Sequence, residues 1–257
     1  MGKMYNGSIG QRAKISREQL RRRFRRAMPS YEKAAVVQRR MAVRLAEVLA
    51  ELSSFYSRVL EIGAGTGFFT RAAKERFSWS LYLACDLLPE CACFLEPLGV
   101  HFVVANGEDP SWVRGPFDLI VSNAVFQWFE DLGKSLLALA ERLCPGGFLA
   151  FTTFGPDTMK EIPREPPPGL LSLPHLTSLK PPGLEEIQAF CWQEILYFEE
   201  PLAVLRHIRE TGALGGLPTR WSLRALKAWQ QSYERYKLEE GYPLTFEPIL
   251  VIWRKVG

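Results

Sequence analysis

From residue 58 onward, short apolar runs alternate with stretches whose apolar residues recur every three or four positions. The runs at 58–62, 80–85, 100–105, 117–122 and 147–153 read as strands, and the periodic stretches between them, such as Leu136 to Leu143, read as helices. Strands near 194–199 and 246–254 and helices near 202–210 and 221–236 extend the series. This alternation implies βαβ units, hence an α/β fold with a parallel sheet covered on both faces. Upstream, Val37, Met41, Leu45, Val48 and Leu52 fall on one helical face, and the pattern predicts a helix that starts after Pro29 with Ser30 as its N-cap. Seven prolines between Pro163 and Pro182 interrupt the rhythm and predict an insertion at about 160–186 that is irregular over most of its length and acts as a lid.

Charge changes this picture at one end. Residues 1–40 carry 12 Lys/Arg against Glu18 and Glu32, whereas the remaining 217 residues carry 20 basic and 26 acidic side chains. Residues 1–20 read as a disordered basic tail ahead of one domain spanning 21–257. Arg21, Arg22, Arg23, Arg25 and Arg26 form a block suited to an acidic macromolecule, nucleic acid or protein, or simply to water. No apolar run approaches the roughly 20 residues of a membrane span, and the N-terminus lacks a signal-peptide layout, so a cytoplasmic protein is expected. The five cysteines are odd in number and follow no zinc spacing, so no metal site is expected.

The candidate chemistry begins at "EIGAGTGFF", where Gly63, Gly65 and Gly67 follow the first strand. A dinucleotide fingerprint would require glycine at position 68, which is Phe68, and no Gly-Lys-Ser/Thr follows to make a P-loop. A nucleoside without a pyrophosphate remains. Asp86, closing the second strand about 20 residues further on, is placed to accept hydrogen bonds from ribose hydroxyls. Asn106-Gly107-Glu108 after the third strand and Ser122-Asn123 after the fourth reach the same crevice, because ligands bind at the carboxyl edge of such a sheet.

The E-x-G-x-G-x-G loop with these strand ends resembles the class I S-adenosylmethionine-dependent methyltransferases. The resemblance covers about residues 25–255 and implies a seven-stranded, doubly wound, mostly parallel Rossmann-like sheet with the last strand antiparallel, which matches the strand count. The stretches "FRRAMPSYEKAAVVQRRMAVRL", "SNAVFQWFEDL", "PGGFLAFTTFGPDTMKEI", "LRHIRETGA" and "YPLTFEPILVIW" are similar to the malonyl-[acyl-carrier protein] O-methyltransferases of biotin synthesis, with Phe154-Gly155-Pro156-Asp157-Thr158 the most specific phrase. The resemblance implies S-adenosylmethionine as cofactor, held by Gln38, Glu61, Gly63, Ala64, Gly65, Gly67, Asp86, Leu87, Asn106, Gly107 and Asn123. Asn106 stands where the family often has aspartate, which removes a charge beside the adenine.

The implied reaction esterifies the free carboxylate of a malonyl thioester on an acidic acyl-carrier protein. A carboxylate with a pKa near ~4 is already ionised at neutral pH, so no general base is required. Tyr31 is expected at the reaction site, and Arg206 or Arg209 is expected to hold the acceptor carboxylate, since the two can share a helix face. Trp128 is a candidate wall of the acceptor side, and the three histidines show no catalytic spacing. Competing readings are methylation of another small carboxylate and a cofactor-binding assembly factor. RNA methylation is disfavoured, because Ser122-Asn123-Ala124-Val125 replaces the Asn-Pro-Pro-Tyr type of motif, and neither nucleic acid nor membrane is an expected partner.

Overall fold

The computed structural model describes residues 16–162, 169–213 and 222–257. Seven strands form the main sheet: β1 (Phe55–Ile62), β2 (Ser78–Asp86), β3 (His101–Val104), β4 (Phe117–Asn123), β5 (Leu143–Phe154), β6 (Leu184–Cys191) and β9 (Pro248–Lys255). Their order is β3-β2-β1-β4-β5-β9-β6, and β9 runs antiparallel to both of its neighbours. Alternation within each strand builds two cores. Val59, Leu119 and Leu250 face α2 (Val36–Leu52) and α3 (Phe68–Lys74), while Leu60, Ile120 and Val251 face α5 (Leu132–Glu141).

The sixth strand of this sheet is not the expected one. It is β6, which begins at the end of the stretch assigned to the proline-rich insertion and runs past it, whereas β7 (Glu194–Phe198) leaves the sheet and pairs with β8 (Tyr242–Phe246) in a separate ribbon. The reason is position: β6 is an edge strand, and Glu185, Glu186, Ile187 and Gln188 in it are all exposed, so it carries no apolar alternation. The same stretch also holds α6 (Leu173–Ser178), begun by Pro174 in its first turn. Residues 163–168 lie outside the described residues, and the lid expectation there with them.

The N-terminal helix also starts earlier than expected. After α4 (Ala92–Leu95), α7 (Pro201–Glu210) and α8 (Leu223–Tyr233), the remaining helix is α1, Arg17–Ala34, which runs straight through Pro29. Its N-cap is Ser16, in a reciprocal capping box with Gln19. Ser30 is no cap: its hydroxyl donates to the carbonyls of Ala27 (2.9 Å) and Glu210 (3.0 Å), fastening α1 to the end of α7. Residues 17–20, counted as tail, are therefore helical, and residues 1–15 lie outside the described residues. Ala35 breaks the helix before α2. The ribbon, α7 and α8 form a third core around Val204, Ile208, Tyr233 and Phe246, against which Val37 and Met41 pack. Among the described residues no helix is long and apolar enough to cross a membrane.

Candidate active site

The three loop glycines are required for three different reasons. All are left-handed, with φ of +69°, +53° and +84° at Gly63, Gly65 and Gly67. A Cβ on Gly63 would lie 2.4 Å from Val125, and one on Gly67 would press on Leu95 and Leu98. A Cβ on Gly65 would meet nothing within 4 Å, because it would project into a cavity at the carboxyl edge of the sheet.

Asp86 ties the second strand to this loop. One carboxylate oxygen accepts from the Gly65 N–H and the other from the Leu88 N–H, both at 2.9 Å. The Cys91 thiol and the Leu87 N–H lie against the same carboxylate, which also lines the cavity. Burial raises the Asp86 pKa, and those backbone donors oppose the rise. Ala64, Leu87, Asn106, Gly107 and Asn123 line the same cavity. Asn106 Oδ1 accepts from the Glu108 N–H (3.2 Å), and its amide nitrogen has no partner among the described residues. Gly107 lets the chain pass over Ile62, whose Cγ2 would be 2.3 Å from a Cβ there.

Beneath the loop, Glu61 is buried and accepts from Thr70 Oγ1 (2.6 Å) and the Tyr82 hydroxyl. Burial pushes its pKa up to about 7, against the pull of those two donors. Glu61 thus joins the start of α3 to β2, and it also borders the cavity.

Helix α1 roofs the cavity with Leu20, Phe24, Met28 and Tyr31, one stripe at spacings of four, four and three. Tyr31 stacks on Phe68 with centroids 5.7 Å apart, and Phe24 meets the Trp128 ring edge-on at 5.5 Å. Charges hold the roof down: Arg25 pairs with Glu90, Arg17 with Glu108 (3.5 Å), and Glu32 with Arg71 (2.9 and 3.1 Å). Arg71 also donates to the Thr66 carbonyl at 2.7 Å, so one side chain bridges roof and loop. Sequence reasoning placed Tyr31 at the site but missed the upstream part of this roof, with Leu20, Phe24 and Met28. Its stripe is readable, but Pro29 drew the predicted helix start past it.

A second cavity adjoins the first, sharing Phe24, Tyr31, Ala124 and Trp128 as a common wall. Gln38 lines this one and not the cofactor side. Asn123 positions it: its amide nitrogen donates to the Gln38 carbonyl (3.1 Å) while its oxygen accepts from Thr152 Oγ1 (2.7 Å). The Phe154–Thr158 phrase supplies another wall. Its turn packs on Glu247, which accepts from the Asp157 N–H (2.9 Å) and donates its own N–H to Thr158 Oγ1 (3.1 Å).

Arg206 and Arg209 line neither cavity. They sit on the exposed face of α7, opposite Val204, Leu205 and Ile208, and Arg206 lies 3.6 Å from Glu200. His207 is packed between Phe198 and Phe246, and burial lowers its pKa to about 4. Among the described residues no cluster of His, Cys, Asp and Glu could hold a metal ion.

An open cradle above Gly65, beside a carboxylate that lines the cavity and an unpaired amide at Asn106, fits a nucleoside. Set in this strand order, with one reversed strand, such a site defines a class I S-adenosylmethionine-dependent methyltransferase. The sequence matches the methyltransferase domain family over residues 18–232. It is 33% identical over 235 residues to a malonyl-[acyl-carrier protein] O-methyltransferase of Calditerrivibrio nitroreducens, covering 90% of this chain and 94% of that protein. In fold it is similar to a putative methyltransferase from Bacillus halodurans (TM-score 0.59, 18% identity, 84% of this chain and 99% of the other). It is also similar to the N-methyltransferase NodS of Bradyrhizobium japonicum, solved with S-adenosyl-L-homocysteine (TM-score 0.51, 15% identity, 84% and 86%). The chain belongs to the malonyl-[acyl-carrier protein] O-methyltransferase family, and its cofactor is S-adenosylmethionine.

Proposed function

We propose that this enzyme methylates the free carboxylate of malonyl-acyl-carrier protein, giving the methyl ester used early in biotin synthesis. The observation that carries this reading is likeness over 90% of the chain to a relative of that name. Bound beside Gly65 and Asp86, S-adenosylmethionine supplies an electrophilic methyl, which a carboxylate oxygen takes with its own lone pair while the C–S pair stays on sulfur and no proton moves. The chain has then to dehydrate and align the acceptor. The apolar wall of Phe24 and Trp128 serves the first need.

The basic end fits an acidic carrier protein. Arg17 and Arg25 are spent on Glu108 and Glu90, whereas Arg22 and Arg26 are exposed with no ion pair among the described residues. These unspent charges are the landing site in this reading.

Intact-mass measurement of malonyl-carrier protein after incubation with cofactor tests the proposal, with malonyl-coenzyme A and free malonate as rival acceptors. Methylation should favour the carrier protein and weaken steeply with salt, far more than turnover of malonyl-coenzyme A. Methylation of free malonate alone would point to a small-carboxylate enzyme, and none at all to an accessory factor. Single-turnover rates in the saturated complex should vary little between about pH 6.5 and 8.5, because the acceptor is already ionised. Replacing His207, neutral over that range, should leave them intact. A tenfold rise per pH unit would exclude a carboxylate acceptor.

A further inference from the structure

We infer that the acceptor carboxylate is read by uncharged hydrogen-bond donors in the second cavity, with the Gln38 amide foremost, and not by an ion pair. This rests on the carboxyl-methylation reading above and assigns the group that recognises the acceptor.

Gln38 is 7% exposed and lines the second cavity, yet its side-chain amide has no hydrogen-bond partner among the described residues. The amide atoms open onto the cavity and are not sealed in the core, so a donor on a nearly buried residue is free to meet the cavity's occupant. Gln127, the other amide on this wall, is already committed. It donates to the Ala124 carbonyl (2.8 Å) and accepts from Thr153 Oγ1 (3.0 Å). Gln38 is also held in place through its backbone by the Asn123–Thr152 relay. The Tyr31 hydroxyl, on the wall between the cavities, is a second donor without a partner among the described residues.

Backbone strain marks the same cavity. Ala124 (φ +57°) and Met159 (φ +60°) are the two non-glycine residues with positive φ among those described, and both line it. The lining also differs in charge from its neighbour. The cofactor cavity is bordered by Arg17, Arg21, Glu61, Asp86 and Glu108, whereas the described lining of the second cavity carries no ionisable group except the Tyr31 phenol.

The reaction gives this neutrality a reason. The acceptor starts as an anion and ends as a neutral ester, so its charge fades along the reaction. A guanidinium would hold the reactant more tightly than the transition state and raise the barrier between them. An amide N–H on the non-reacting oxygen keeps its partner throughout, because that oxygen ends as the ester carbonyl. It selects and aligns the carboxylate without anchoring its charge.

The test uses the full chain with malonyl-pantetheine as acceptor probe and two variants, Gln38→Met and Gln38→Lys. Acceptor binding is measured by calorimetry with S-adenosylhomocysteine bound, and ester formation by single-turnover mass analysis with S-adenosylmethionine. Gln38→Met keeps the shape without the donor, and should weaken acceptor binding roughly 10- to 100-fold while S-adenosylhomocysteine affinity stays unchanged. Gln38→Lys should bind the acceptor at least as tightly as wild type but transfer the methyl at least about tenfold more slowly. Acceptor binding by Gln38→Met equal to wild type, or faster transfer by Gln38→Lys, overturns the inference. Wild-type protein that forms no ester on any malonyl acceptor overturns the parent reading instead, and the two failures are thereby told apart.

Discussion

The two cavities share a wall but are built on different plans. The floor of the cofactor side consists of strand ends and the few residues after each, tied by bonds between neighbouring strand ends such as Gly65 N–H to Asp86 and Leu88 N–H to Asp86, with α1 above them. The acceptor side is assembled from parts far apart in the chain: Gln38 on α2, the turn after β5, Thr211 after α7 and Phe246 on β8. The first is rich in charge, and the second is neutral over its described lining apart from a phenol. The contrast teaches a division of labour. A cofactor common to many enzymes is held by local geometry that one sheet edge dictates, while the acceptor pocket depends on peripheral elements that can change independently.

The sharpest break in that division would come from the cradle. Gly65→Val places a branched side chain in open cavity at a left-handed residue, so it loses both the space and the backbone conformation. S-adenosylhomocysteine affinity should fall by about 100-fold or more. Asp86→Ala removes charge-assisted bonds worth roughly 1.5–3 kcal/mol, for a loss on the order of 10- to 100-fold. Calorimetry on the folded variants checks both. If Asp86→Ala weakens acceptor binding as much at saturating cofactor, the two halves are not separable.

A comparable effect should appear in stability on the cofactor side. Burial raises the Glu61 carboxyl from 4.5 to about 7. The folded protein therefore binds its proton more tightly than the unfolded chain does. The stability gained this way is complete below about pH 4.5 and is lost as pH rises through about 7. At about 1.4 kcal/mol per unit, the loss is on the order of 3–4 kcal/mol. Asp86 is raised too and adds in the same direction. Glu61→Gln keeps an oxygen to accept from Thr70 and Tyr82 but cannot ionise. Its melting temperature should fall less than that of wild type between about pH 5 and 8, and parallel curves would remove Glu61 as the source.

Legibility followed the same division. The glycine loop, Asp86 and the first five strands were readable because each is specified by residues adjacent in sequence. Three features were not. Strand β6 hides its period because it lies at a sheet edge, with Glu185 and Glu186 in water. Helix α1 was cut short because Pro29 is a strong local signal, and packing of α1 on α7 and over Phe68 overrode it. Arg206 and Arg209 do share a helix face, as their spacing requires, but spacing alone does not say which face is buried. Val204 and Ile208 decide that, and they turn the arginines outward.

The smallest effect concerns the roof, which borders both cavities through Phe24 and Tyr31. Arg71 joins Glu32 of α1 to the Thr66 carbonyl, so it couples the roof to the loop that cradles the cofactor. Both partners of the ion pair are partly exposed, at 36% and 40%, so water screens it and its share is well under 1 kcal/mol. The bond to the Thr66 carbonyl adds about 1 kcal/mol. Arg71→Ala should therefore speed S-adenosylhomocysteine dissociation by roughly 3- to 10-fold in stopped-flow measurements, and wild type in high salt should move part of the way toward it. Acceptor affinity should change less, because Gln38 is fixed through Asn123 and Thr152 and does not depend on this clamp. Equal losses on both sides would mean that α1 closes the two cavities as one lid, and the division would then hold for charge but not for motion.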